Sequence, residues 1–161
     1  MEWDKKERLD RLFIDYFGAT DNDYHKAAAR KWAVGAVARI FEPGVKFDYM
    51  PILIGIQGIK KSTFADKLGK SWFSDSFTTV KGREAYEQLQ GMWIIEVAEL
   101  SAMKNAEVET VKHFISKRND FYRASYDKYP QEQPRQCVFI GSSNSTKPLL
   151  DNTGNRRFFS V

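Results

Sequence analysis

Cysteine is nearly missing from this chain: Cys137 is the only one among 161 residues. One thiol excludes an internal disulfide and any thiolate metal cluster. With no signal-peptide pattern at the start, it leads us to expect a reducing, cytoplasmic setting. Histidine is scarce too. His25 and His113 have no metal-like spacing with Cys137, so both read as structural. No apolar run approaches the roughly 18 residues that span a bilayer, and no membrane partner is expected. A strong charge excess is also lacking: 25 Lys and Arg against 21 Asp and Glu leave +4, which permits a polyanionic partner without requiring one. Aromatics are plentiful, with 12 Phe, 7 Tyr and 4 Trp, and this excludes a disordered tail. The length suits one domain with a real core.

The chain opens on helical patterns. Residues 3–17 put Leu9, Leu12, Phe13, Tyr16 and Phe17 on one stripe, and Gly18 supplies a stop. Asp21-Asn22-Asp23 offers caps for a helix over 24–41, whose Ala28, Trp32, Val34, Val37, Ala38 and Ile40 predict that it is well buried. Glu42-Pro43-Gly44 ends it. Three short apolar runs then read as buried strands, at 49–54, 92–95 and 136–140. Between them, helices are predicted over 62–68 and 83–90, and a third is marked by Val108, Val111 and Ile115. A last apolar run, 158–161, looks like another strand, and its position at the chain's end suggests a fragment of something longer. Alternating short strands and helices predict an α/β fold with a largely parallel sheet flanked by helices. We divide it into a helical segment, 1–44, packed on a core, 45–161.

The strongest local signal is Gly55-Ile56-Gln57-Gly58-Ile59-Lys60-Lys61-Ser62-Thr63, between a buried strand and a helix. Glycines let backbone N–H groups curl around a phosphate, and the helix N-terminus adds partial positive charge. A lysine then reaches the outer phosphates and a hydroxyl binds magnesium. Lys61 and Ser62 fill those roles in a site for ATP and Mg2+. The residue before that lysine is normally glycine; here it is Lys60, which brings a side chain where the backbone should approach the phosphates. The alternative is a glycine-rich turn with no ligand.

Magnesium needs a carboxylate on a neighbouring strand, and an attacking water needs an orienting group. Glu96 and Glu99 follow the second apolar strand, with Glu96 assigned to the metal and Glu99 to the water or to a helix start. Asn144 follows the third strand, where its amide suits the outer phosphate and the water. Arg156 and Arg157 precede the last strand and suit a cation delivered to a γ-phosphate, within the subunit or from a neighbour. A solvated basic turn, or an arginine paired with Asp151, is the competing reading. Residues 118–130 interleave aromatics with cations, as single-stranded nucleic acid recognition requires. A hairpin there would carry Lys128 and Tyr129 at its tip with Arg123 close by, while Phe121, Tyr122 and Tyr126 each read more readily as core.

In this order, the loop 55–63, Glu96-Val97-Ala98-Glu99-Leu100, the 112–126 stretch, residues 134–139 and Thr153-Gly154-Asn155-Arg156-Arg157-Phe158 resemble the virulence-associated protein E family. Its members are P-loop ATPases of phages and pathogenicity islands, similar to superfamily three helicases of the AAA+ class. The resemblance spans nearly the whole chain and implies a P-loop NTPase core acting on single-stranded or forked DNA in replication, inside a bacterial host cell. It implies a homo-oligomer, possibly a hexameric ring, with ATP between subunits. Onto matching positions it carries Lys61 and Ser62 for ATP and magnesium, Glu96 and Glu99 for the acidic motif, Asn144 for the sensor, and Arg156 or Arg157 for the arginine given to a neighbour. Lys60 is the departure from the family pattern. Beside a helicase motor core, two other readings stay open: a small-molecule kinase, and a non-hydrolysing module that binds nucleotide or DNA.

Overall fold

The structure, a computed structural model, describes residues 4–98, 105–144 and 157–161, the side chains of 105 and 106 excepted. Strands β1 (Met50–Ile54), β2 (Phe73–Ser74), β3 (Ile94–Val97), β6 (Val138–Ser143) and β7 (Phe158–Ser160) form one sheet in the order β2-β3-β6-β1-β7. Every neighbouring pair in it is parallel. Strands β4 (Asn119–Tyr122) and β5 (Gln131–Pro134) form a separate antiparallel hairpin. The sequence reading missed β2, because two residues are too few for any periodicity to show.

Side chains alternate across a strand, so residue parity assigns each one to a face. Met50, Ile52, Ile95, Val97 and Phe139 lie in one buried cluster with Ala85 and Leu89, and with Val108, Val111, Phe114 and Ile115 of α5 (Asn105–Ile115). Leu53, Ile94, Val138 and Ile140 lie in the other, with Phe13 of α1 (Leu12–Phe17), Ala65 of α3 (Lys61–Gly69), and Ala28, Ala29, Trp32 and Ala36 of α2 (Asp23–Phe41). Each fully buried large apolar side chain contributes about 1.5–3 kcal/mol. The opening helices therefore share a core with the sheet.

Helix α2 starts where Asn22 accepts a hydrogen bond from the His25 amide at 2.9 Å. It is pinned to the sheet by polar contacts within apolar surroundings. The Trp32 indole donates to the Phe139 carbonyl at 3.0 Å, and the Trp93 indole donates to Ala36 at 2.8 Å. Arg39 is fully buried and donates to the carbonyls of Cys137 and Phe47, each at 2.6 Å. Gly35 is needed for close approach: a Cβ there would collide with the Phe47 ring.

Three expectations need correction. Val34, Val37 and Ile40 are not buried but 55%, 48% and 43% exposed, because only one stripe of α2 touches the sheet. Val37 and Ile40 line an apolar groove of about 570 Å³ with Trp72 and Met92. The helix expected over 3–17 is reduced to a 3-10 turn at Leu9–Arg11 followed by α1. Upstream, the Asp4 carboxylate accepts from the Lys6 amide and Lys5 takes a left-handed conformation, local bonding that competes with a helix. The helix expected over 83–90 shrinks to α4 (Glu84–Glu87), after which Leu89 and Gln90 make turn-type bonds back to Tyr86 and Glu87.

Candidate active site

The ends of β1, β3 and β6 and the start of α3 meet at one side of the sheet. Their register places Ile54 beside Ser143 and Val97 beside Gly141. This edge carries a cavity of about 470 Å³ lined by Gln57, Gly58, Lys60, Lys61, Ser62, Thr63, Asp75, Glu96, Ala98, Ser142 and Asn144. Parity explains why the strand residues arrive there. Glu96 alternates with Ile95 and Val97, which pack on the α5 side, so it faces α3. Ser142 and Asn144 share parity with Ile140, which also packs on that side.

The loop is built by two left-handed residues. Gly58 has φ 92° and Lys60 has φ 64°, ψ 32°. Lys60 thus keeps the backbone shape that glycine supplies more cheaply; for a residue with a Cβ this costs about 1–2 kcal/mol. The first helical bond of α3 runs from the Phe64 amide to the Lys60 carbonyl. The amides of residues 61–63 precede it and so have no partner within α3, with the helix dipole behind them.

The Lys61 side chain is buried to 8% exposure, and its ammonium donates to Gly55 O at 2.6 Å, Ile56 O at 3.1 Å and Asn144 Oδ1 at 3.0 Å. Ser62 Oγ donates to Glu96 Oε1 at 2.8 Å. Glu96 is only 3% exposed, and its other oxygen, Oε2, is buried with no hydrogen-bond partner among the described residues. A buried carboxylate oxygen without a partner costs several kcal/mol, so it marks where a cation would be bound. The hard oxygens of Ser62 and Glu96 suit Mg2+. Among the described residues no three His, Cys, Asp or Glu side chains converge, so such an ion would take its other ligands from water and substrate.

The other sequence-assigned residues fall elsewhere. Gly55 and Ile59 shape the loop without lining the cavity; the Gly55 amide donates to Ser143 O at 3.1 Å, closing the loop onto β6. Glu99 and Arg156 lie outside the described residues. Arg157 sits at the opposite end of β1 from the loop: its carbonyl accepts from the Met50 amide, and its Nε lies 3.6 Å from Asp48. It does not reach the cavity of its own chain. The hairpin has the expected form, with Arg123, Lys128 and Tyr129 all exposed in the loop between β4 and β5. Of the three aromatics assigned to the core, only Tyr122 is buried. Phe121 is 71% exposed and Tyr126 is fully exposed with φ 74°, because β4 alternates and the tip has nothing to pack against. Asp75 and Ser142 were missed. Asp75 enters the cavity only because it follows the short edge strand β2, for which no pattern in sequence exists.

The family profile of the virulence-associated protein E-like domain matches residues 1–161. The chain belongs to that family. The resemblance drawn from its motifs is thereby shown. No curated protein sequence matches it. Among solved structures, the A-form apo structure of the NrS-1 C-terminal region is similar at TM-score 0.64 and 20% identity, over 95% of this chain and 36% of that one. A second structure of that region is similar at TM-score 0.60 and 19% identity, over 97% of this chain and 37% of the other. This virulence-associated protein E-like domain thus shares the fold of the NrS-1 region and spans little more than a third of its length. Among the described residues no helix is long and apolar enough to cross a membrane.

Proposed function

We propose that this domain is a nucleic-acid-dependent ATPase, the motor core of a phage or mobile-element replicative helicase. The observation that carries the reading is the convergence of Lys61, Ser62, Glu96 and Asn144 on one cavity at the start of α3. Insertion of β6 between β1 and β3 supports a P-loop core of AAA+ type, since it sets Asn144 between the loop and Glu96. Lys60 keeps the loop's left-handed turn, which supports a competent loop over a degenerate, non-hydrolysing one.

In this reading the amides of residues 61–63 and the Lys61 ammonium bind the β- and γ-phosphates of ATP. Ser62 and Glu96 hold magnesium, which when bound neutralises charge on the phosphate oxygens. Asn144 exchanges its bond to Lys61 for one to the γ-phosphate or the water. Glu99 orients that water and accepts its proton as the oxygen bonds to phosphorus and the β–γ bridge breaks. Arg157, remote from its own cavity, or Arg156 serves a neighbouring subunit's ATP, which calls for a homo-oligomer such as a hexameric ring. Arg123, Lys128 and Tyr129 on the hairpin engage single-stranded or forked DNA.

Steady-state ATP hydrolysis with and without single-stranded DNA, read beside light scattering, tests this. The expected result is an oligomer whose turnover rises with DNA and disappears in Lys61→Ala. Turnover that survives Lys61→Ala contradicts it.

A further inference from the structure

The two adjacent lysines of the loop are in opposite circumstances. The Lys61 ammonium is buried and has three donors, and each already has an acceptor within the chain. A phosphate reaching it must displace one of them. Lys60 lines the same cavity but is exposed, and among the described residues no hydrogen bond or ion pair engages its ammonium. It is also held in a left-handed conformation that disfavours any side chain.

Charge around the cavity sharpens the contrast. Its ionisable lining is Lys60, Lys61, Asp75 and Glu96, two cations against two anions. Without Lys60 the lining would be net negative and would repel a magnesium–triphosphate complex, which is itself anionic.

We infer that Lys60 is the polyphosphate-capture residue of this site. Its ammonium meets the terminal phosphate of a nucleoside triphosphate first, and Lys61 follows by exchanging chain acceptors for phosphate oxygens. The glycine of the family pattern is thus replaced by a residue that keeps glycine's backbone shape and adds a mobile cation. The inference deepens the nucleotide reading and rests on it. It makes Lys60 a determinant of triphosphate over diphosphate preference, because only the longer chain of phosphates extends past the loop to an exposed cation.

The test is titration and stopped-flow mixing of the whole 161-residue chain with magnesium and N-methylanthraniloyl-ATP, or the matching diphosphate. Lys60→Gln keeps the Cβ and removes the charge; Lys60→Arg keeps the charge; Lys60→Gly restores the family residue. A charge-assisted contact of this kind predicts about ten-fold weaker triphosphate binding in Lys60→Gln, mostly from slower association, with a smaller loss for the diphosphate. Lys60→Arg should bind as the parent does, and the parent's affinity should fall more steeply with salt than that of Lys60→Gln. Triphosphate affinity within two-fold of the parent in Lys60→Gln overturns the inference and leaves the nucleotide site standing. So does tighter binding in Lys60→Gly, which would mean the side chain obstructs the loop. A folded parent that binds no triphosphate overturns the nucleotide reading and this inference together.

Discussion

Charged groups are buried at both ends of the parallel sheet, and they are treated in opposite ways. At the end where β3 and β6 begin, the two fully buried guanidiniums, Arg39 and Arg135, are satisfied; the partly exposed Arg157 beside β7 keeps a buried Nε with no hydrogen bond among the described residues, 3.6 Å from Asp48. Arg135 pairs with Asp120 through two bonds of 2.7 Å, donates to Phe114 O at 2.6 Å and stacks on the Phe114 ring. Arg39 is likewise surrounded by carbonyls. At the end where the same strands finish, Glu96 keeps an oxygen with no partner among the described residues, Lys60 sits in a strained turn, and Lys61 is held by bonds a phosphate could replace. Saturated ionic groups hold elements in place. Unsaturated ones, kept despite their cost, await something from outside the chain.

Four substitutions or conditions probe that contrast, and the largest effect belongs to the saturated end. Asp120→Ala leaves Arg135 buried without its counter-charge and should cost about 3–5 kcal/mol of stability. For a domain of this size that lowers the melting temperature by about 10 °C in a thermal melt. A loss under 1 kcal/mol would show that the pair is not the anchor of hairpin to α5 that its geometry suggests.

Next comes the unsaturated end. Lys61→Ala should reduce ATP turnover by about 100-fold or more while the melting temperature changes little, since its partners there are loop carbonyls and one exposed amide. The reverse outcome, a large loss of stability with turnover kept, would collapse the distinction between the two ends.

A smaller effect is expected from pH. Burial pushes the Cys137 thiol up to about 11. The folded chain therefore keeps this proton where the unfolded chain, with an ordinary thiol, releases it. Stability from this group is full below the unfolded value near 9 and falls as pH rises towards the folded one, by about 2 kcal/mol at about pH 11. Urea melts across that range, compared with Cys137→Ala, should isolate this slope.

The smallest loss of stability is predicted for Glu96→Ala. It removes a buried carboxylate whose unpartnered oxygen is costly, together with one hydrogen bond from Ser62, so stability should hold or rise, in contrast to Asp120→Ala. Turnover should nonetheless be lost.

What could be read from the sequence divides along a similar line. The loop 55–63 and its lysine, the three long strands and the glutamate ending one of them were visible, because parallel buried strands are continuous apolar runs and a phosphate loop has a fixed spacing. The hairpin followed from its interleaved charges and rings. The exposure of Phe121 and Tyr126 was not visible, since an aromatic at a hairpin tip has the same composition as one in a core. The exposed stripe of α2 was equally hidden: Val34, Val37 and Ile40 are as apolar as Ala36 and Trp32, and only tertiary packing chooses between faces. Asp75 depended on a two-residue strand.

The central claim is that the cavity around Lys61 and Glu96 binds a magnesium–triphosphate. Thermal melting of the protein with a non-hydrolysable ATP analogue tests it most directly, with magnesium present or removed by chelator. Binding to the folded state alone at 100 times the dissociation constant adds about 2.7 kcal/mol, so a rise of several degrees that requires magnesium is predicted and should vanish in Glu96→Ala. A melting temperature unmoved by millimolar analogue and magnesium would contradict the claim.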